Sequence, residues 1–425
     1  MPPSLRPTFR PVRMAALLVL LHPASYGYSV LTHEAIVDSV WDASLQPLLL
    51  KRFPAATEAE LAQAHAYAYG GCILQDMGYY PFSSRFFSDL THYVRSGDFV
   101  SSLIRESQDL NEYAFSLGAL AHYAADNSGH RIATNLAVPI LYPELRSRYG
   151  STVTYWDHPV SHLRTEFGFD VVQVAQGRYA PGAYRRFIGF EVSKPVLQRA
   201  FLATYGMEMK DVFANLDLAL GTFRYSVSSI IPGMTKVAWQ LKSDSIIKEM
   251  PGVTRKQFLF NLSRASYEHD FGKGYQRPSF RTRFVAWVLR IMPKVGPLRS
   301  LKFRPPTAEV EKMFMASFNA TVESYQTLLR DAAEGRVQLK NENFDVGAQT
   351  LAGQYVGADL TYDKLLDQLA DQKFAATTSE LREDILRYYK DRKAPPAPSK
   401  KKIMQGWMKL QEQRAALEQF QPASH

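Results

Sequence analysis

The chain has 425 residues, 46% of them hydrophobic and 12% aromatic, with a formal net charge of +9 and a single cysteine. This composition excludes a disordered chain and leaves room for one to three domains with substantial cores. One cysteine excludes an intramolecular disulfide framework.

The first elements in chain order suggest export. Arg6, Arg10 and Arg13 precede an apolar run from Met14 to Leu21, followed by Pro23, Ala24, Ser25, Tyr26 and Gly27. A basic start, a short apolar stretch and small residues at Ser25 and Gly27 predict a signal peptide over residues 1–27, cut before Tyr28. The expected destination is secreted or periplasmic. That run is too short to cross a bilayer, and no later stretch is long and apolar enough.

Beyond residue 28 the pattern is helical nearly throughout, and an all-α fold is expected. Apolar residues recur at intervals of three and four in Thr32–Leu50, Glu58–Gly70, Leu103–Ala125, Leu197–Tyr205, Met209–Ser226 and Ala308–Ala333. Thr57 and Glu60 have capping-box spacing ahead of one helix. Strand-like alternation between tight turns is missing. Residues 28–240 read as one helical catalytic domain and 241–390 as a helical extension. Residues 391–425 read as a Pro/Lys-rich linker followed by a terminal helix over Ile403–Phe420.

Charge is unevenly spread. Between Phe271 and Ala308 there are nine basic residues and no acidic one. Within 277–304 the apolar run Phe284–Met292, flanked by arginines, has the pattern of a helix lying on an anionic membrane with Trp287 at the interface. A buried helix with a solvated basic edge fits the same pattern, and a nucleic-acid surface fits it less well.

The chemistry-bearing residues are confined to the first 170. In order they are His33, Asp76, His92, His122, Asp126, His130, His162 and Glu166, and they include five of the ten histidines in the chain. His122 with Asp126, and His162 with Glu166, each stand four apart. That spacing places both side chains on one helical face, where they can share a metal ion. Imidazole and carboxylate donors together suit zinc, and this set can hold about three ions if carboxylates bridge. Asp126, one turn from both His122 and His130, is the expected bridge. Gly129 is expected to end its helix and turn His130 inward toward a different ion. Attack by a hydroxide bridging two zinc ions, with the cations neutralising phosphate oxygens, suits phosphodiester cleavage.

Other residues carry weaker signals. His158, four before His162, is an alternative ligand to it. His65 lies on an apolar helical face and is expected to be packed. Cys72 is expected to be a small buried residue, and the turn-rich segment Asn343–Gly347 a loop that closes against the catalytic domain without binding metal. The aromatics Tyr79, Tyr80, Phe82, Phe86, Phe87, Tyr155 and Trp156 could line a lipid pocket, stack bases or pack in the core.

Five segments together resemble the zinc-dependent phospholipase C superfamily, which includes bacterial phosphatidylcholine-preferring phospholipase C and related fungal single-strand nucleases. They are Tyr28-Ser-Val-Leu-Thr-His33, Gly70-Gly-Cys-Ile-Leu-Gln-Asp76-Met-Gly-Tyr79, Thr91-His92-Tyr93, Ala121-His122-Tyr-Ala-Ala-Asp126-Asn-Ser-Gly-His130 and His162-x-x-x-Glu166. The resemblance covers residues 28–170. It implies that Tyr28 (through its backbone), His33 and Asp126 hold one zinc ion. Asp76, His92, His122 and Asp126 would hold a second, and His130, His162 and Glu166 a third, with Asp76 also the candidate general base. Three features depart from the usual pattern: Tyr28 stands where the family has Trp, Asp126 and His130 are closer together than usual, and Glu166 matches the phospholipases rather than the nucleases. The expected activity is hydrolysis of phospholipid. A single-strand nuclease and a non-catalytic zinc-fold binding protein are the competing readings.

Overall fold

The computed structural model describes residues 29–175, 190–227, 244, 303–395 and 401–422. The expected signal 1–27, Tyr28, most of the basic segment 271–308 and linker residues 396–400 lie outside them. The described residues form helices without a β-strand; their one bridge pairs Asn343 with Ala348. The all-α expectation is met.

Helix α1 (Val30–Val40) passes through a π-helical turn at Trp41–Leu45 into α2 (Gln46–Arg52). Helix α3 (Glu58–Ile73) begins at the expected capping box: the Glu60 backbone amide donates to Thr57 Oγ1, and the Thr57 amide donates to Glu60. A 3₁₀ turn at Leu74–Tyr79 follows, then α4 (Arg85–Tyr93) and α5 (Ser96–Glu106). Helix α6 (Leu110–Gly129) is buried along most of its length.

The periodic stretch Leu103–Ala125 is therefore two helices. Asp109 accepts the amide of Glu112 and starts α6, while Ser107 returns its hydroxyl to the Leu103 carbonyl. Met209–Ser226 divides for the same reason, because Asn215 caps a new helix by accepting the Leu218 amide.

Gly129 does not end its helix. It keeps right-handed angles, and the chain widens into a π-helical turn, His130–Thr134, before α7 (Asn135–Leu141). Pro139 lies inside α7 and cannot supply the amide that the Asn135 carbonyl would accept. Val153 donates to that carbonyl instead, at 2.9 Å, which anchors the loop after α8 (Pro143–Tyr149). Helices α9 (Pro159–Ala175), α10 (Lys194–Tyr205), α11 (Met209–Val212) and α12 (Leu216–Tyr225) follow.

The later helices are α13 (Ala308–Ala333), α14 (Val356–Asp371), α15 (Ser379–Tyr388) and α16 (Lys401–Gln419). Helix α13 lies along α6, where the Tyr325 hydroxyl donates to the Leu117 carbonyl, and α14 packs on α4. Residues past 303 thus share one hydrophobic core with α1–α9.

Helices α3 and α6 pack tightly along one another. A Cβ on Gly71 would lie 1.9 Å from the Phe115 carbonyl oxygen, and one on Gly118 would lie 2.0 Å from that of Ala68. Only glycine permits backbone contact this close. The contact brings the end of α3 against the middle of α6, where His122 lies.

Candidate metal centre

Six elements converge on the candidate ligands. His33 comes from the first turn of α1, Asp76 from the 3₁₀ turn, His92 from α4, and His122 with Asp126 from α6. His130 comes from the π turn, and His162 with Glu166 from α9. All eight side chains are at most 1% exposed.

Donor atoms gather in three groups: His33, His122 and Asp126; Asp76, His92 and His122; and His130, His162 and Glu166. Asp126 belongs to the first and borders the second. Its Oδ1 lies 3.5 Å from His33 Nε2, and its Oδ2 lies 3.2 Å from His122 Nε2 and 3.4 Å from His92 Nε2. His92 Nε2 is also 3.4 Å from Asp76 Oδ1. His122 belongs to both of those groups, and its ring stacks on that of His33 with centroids 4.5 Å apart.

The far nitrogen of three imidazoles is fixed by a main-chain carbonyl. His92 Nδ1 donates to Ser88 O at 2.8 Å, His122 Nδ1 to Cys72 O at 2.9 Å, and His130 Nδ1 to Phe344 O at 3.0 Å. A carbonyl only accepts, so each Nδ1 carries a proton and each Nε2 faces inward, the nitrogen left to bind a metal once any second proton is lost. Each bond also explains nearby sequence. The Gly71 and Gly118 contact brings the Cys72 carbonyl to His122. Ser88 accepts the Gly78 amide and donates to the Gln75 carbonyl, which ties the turn carrying Asp76 to the helix carrying His92.

These donors fit a metal better than they fit each other. Neither carboxylate oxygen of Asp76 or Asp126 has a hydrogen bond of good geometry, nor do the Nε2 atoms of His92 and His122 or Oε2 of Glu166. The contacts around Asp76 and Asp126, at 3.2–3.5 Å, are too long or too skewed to replace hydration, whereas in the third group His162 Nδ1 bonds Glu166 Oε1 at 2.7 Å and leaves Oε2 over. Buried polar atoms without partners are costly, and cations at the points of convergence would satisfy them.

The electrostatics agree. Burial, with the charges of Asp126 and Asp76, holds the Glu166 carboxyl well above its usual range, and burial raises Asp76 as well. Burial opposes charge on His92, yet Asp126 and Asp76 outweigh it and hold its pKa at about 10. Burial and His122 push His33 down to about 3, and burial with His130 does the same to His162.

The remaining expectations divide. His162, not His158, enters the third group; His158 is partly exposed and uses Nδ1 to accept the Ser161 amide at the start of α9. His65 pairs with Asp38 at 2.9 Å and stacks on Trp41, away from the centre. Among the aromatics, Tyr79 lies against His92 and Tyr155 against His162, each with ring centroids 6.0 Å apart, whereas Tyr80 and Phe87 pack among core phenylalanines. Phe86 is buried beneath Lys364, Trp156 lies under Arg85, and Phe82 is exposed.

Two further residues support the ligands. Asp170 accepts the amides of Leu31 and Thr32 at 3.1 Å and the Thr32 hydroxyl at 2.6 Å, capping α1 just ahead of His33. It follows Glu166 by four, so the face that displays His162 and Glu166 extends to it, and the same periodicity could have identified it. Asn135 places Oδ1 2.8 Å from His162 Nε2. No spacing pointed to Asn135.

The family model for zinc dependent phospholipase C matches residues 32–215, which include all eight side chains. Residues 32–215 belong to the zinc-dependent phospholipase C family. No curated protein and no solved structure matches the chain significantly. The phospholipase C-family domain therefore contains three buried donor groups, consistent with about three zinc ions.

Proposed function

We propose that the protein is an exported zinc-dependent hydrolase that cleaves phospholipid at the phosphodiester, as a phospholipase C. The observation carrying this reading is the convergence of three donor groups on inward-facing atoms, two of them sharing His122 with Asp126 beside both, within a domain of this family. His33, His122 and Asp126 would hold one ion, Asp76, His92 and His122 a second, and His130, His162 and Glu166 a third. The main chain of Tyr28 would complete the first after signal cleavage. Zinc bound there would polarise phosphate oxygens and lower the pKa of a coordinated water.

The chain's own groups prepare the site. Carbonyls of Ser88, Cys72 and Phe344 fix the histidine tautomers. Asp76 is the candidate general base. Burial makes it a stronger proton acceptor than an exposed aspartate, and its Oδ2 is not committed to a hydrogen bond. Tyr79 and Tyr155 flank His92 and His162 and would exclude water beside the reacting phosphate. The stretch 277–304 is proposed as a peripheral membrane contact.

The test offers zinc-loaded protein two substrates, phospholipid vesicles and single-stranded DNA. Release of diacylglycerol with intact DNA is expected. DNA cleavage without diacylglycerol would turn the reading toward a nuclease, and fewer than two zinc ions per chain with no turnover toward a binding protein.

A further inference from the structure

The loop Asn343–Ala348 lies far beyond the family match, yet it reaches the third donor group twice. Phe344 accepts the Nδ1 proton of His130 and donates its amide to the His92 carbonyl at 3.1 Å. Asp345 comes next and is fully buried. Its Oδ1 stands 3.2 Å from the same His130 Nδ1, within ion-pair range but without a hydrogen bond of its own. Its Oδ2 accepts the hydroxyl of Tyr93 at 2.9 Å and that of Tyr355. Its main-chain carbonyl accepts Asn135 Nδ2 at 2.6 Å, and the Asn135 side-chain oxygen faces His162.

The placement of Asp345 separates orientation from ligation. The carboxylate lies on the Nδ1 side of His130, while the metal donors converge on Nε2, so Asp345 stands behind the ligand. Two tyrosine hydroxyls hold one carboxylate oxygen and fix where the other one faces. The Phe344 carbonyl takes the Nδ1 proton and fixes the tautomer; a carboxylate at ion-pair distance behind that nitrogen adds negative charge that holds the ring in place and makes the imidazole a better donor.

We propose that Asp345 is a positioning residue for His130, supplied by the C-terminal region, and that the third metal group reaches full affinity only with this loop in place. The inference rests on the reading that His130, His162 and Glu166 hold zinc. It gives residues past 303 a part in the metal centre beyond their share of the core.

The experiment measures zinc rather than turnover. Zinc affinities of the full chain are determined by competition with a chromophoric chelator for wild type, Asp345→Asn and Tyr355→Phe, alongside thermal melting of each metal-free form. Asparagine keeps the shape and can still accept from the tyrosines, but it no longer offers a carboxylate to Nδ1. One of the three zinc ions, the one at His130, His162 and Glu166, is expected to lose 10- to 100-fold in affinity, with the other two unchanged and the metal-free melting temperature close to wild type. Tyr355→Phe, which keeps the carboxylate but frees it on one side, is expected to give a smaller loss at the same ion and serves as the test if Asp345→Asn fails to fold. Unchanged affinity, or a uniform fall across all three ions, would overturn the proposal. Wild type that binds fewer than three zinc ions would remove its premise. Wild type that binds three without cleaving phospholipid would defeat the proposed function and leave this inference standing.

Discussion

Asp126→Asn is the most direct test of the centre. Asparagine is nearly isosteric, but it loses the charge and replaces one acceptor oxygen with a donor. Asp126 reaches His33, His92 and His122 at 3.2–3.5 Å, so the change affects two of the three donor groups. The first keeps only two side-chain donors, and the second loses the carboxylate shared with its two imidazoles. The third contains no atom of Asp126 and should persist. If charge stabilisation by the two affected ions contributes about 4 kcal/mol to the transition state, its loss lowers turnover roughly 10³-fold. Zinc per chain is measured by elemental analysis after gel filtration, and diacylglycerol release by a coupled assay. Far-UV circular dichroism of both metal-free proteins separates a lost ligand from a lost fold. Three retained zinc ions with more than a tenth of wild-type turnover would refute the bridging role of Asp126.

The other predictions concern the frame around the centre. Asp170→Ala removes the acceptor for two amides of α1 and should cost about 1–2 kcal/mol, seen as a lower denaturant midpoint; an unchanged midpoint would show that α1 is capped otherwise. Gly118→Ala drives a methyl group into the Ala68 carbonyl and should cost about 3 kcal/mol or abolish soluble expression; near-normal stability would contradict the α3–α6 contact. The metal-free protein should lose stability as pH rises from 6.5 to about 10: the folded pKa of His92 is raised, so its contribution is full below 6.5 and lost across that window. Zinc binding displaces that proton and should tighten over the same range, and melting of chelator-treated protein that is flat or rising with pH would contradict this. Edman sequencing of exported protein should begin at Tyr28, and any other start denies the first ion its backbone ligands.

The helical periodicity located most of the described helices, because an amphipathic helix displays its buried face at intervals of three and four. It failed where a single polar residue resets the backbone. Asp109 and Asn215 look like ordinary polar positions in a periodic run, yet each accepts an amide three residues ahead and starts a new helix. Gly129 failed in the opposite sense. Glycine permits a helix stop without requiring one, and here the chain continues through a π turn. The ligands were legible because metal binding needs particular side chains at particular spacings. Their support was not, since it comes from carbonyls of Ser88, Cys72 and Phe344, which any residue type can supply. Asp345 was hidden for a related reason: more than two hundred residues separate it from His130, and no local periodicity connects them.

The arrangement ties the metal to the fold itself. Asp76, Asp126, Glu166 and Asp345 are all fully or almost fully buried, and the described charge partners among them are histidines. Outside His92, which Asp126 and Asp76 hold charged, histidine is a weak counter-charge here, since the same burial that crowds these carboxylates disfavours imidazolium, as at His33 and His162. In the metal-free protein the cluster must therefore hold protons on carboxyl groups, as at Glu166, or keep charge that is poorly compensated. Divalent cations remove that conflict at once by accepting lone pairs from neutral imidazoles and balancing the carboxylates. Helices α1, α4, α6 and α9 meet at these side chains, so zinc binding and the packing of those four helices should respond to the same perturbations.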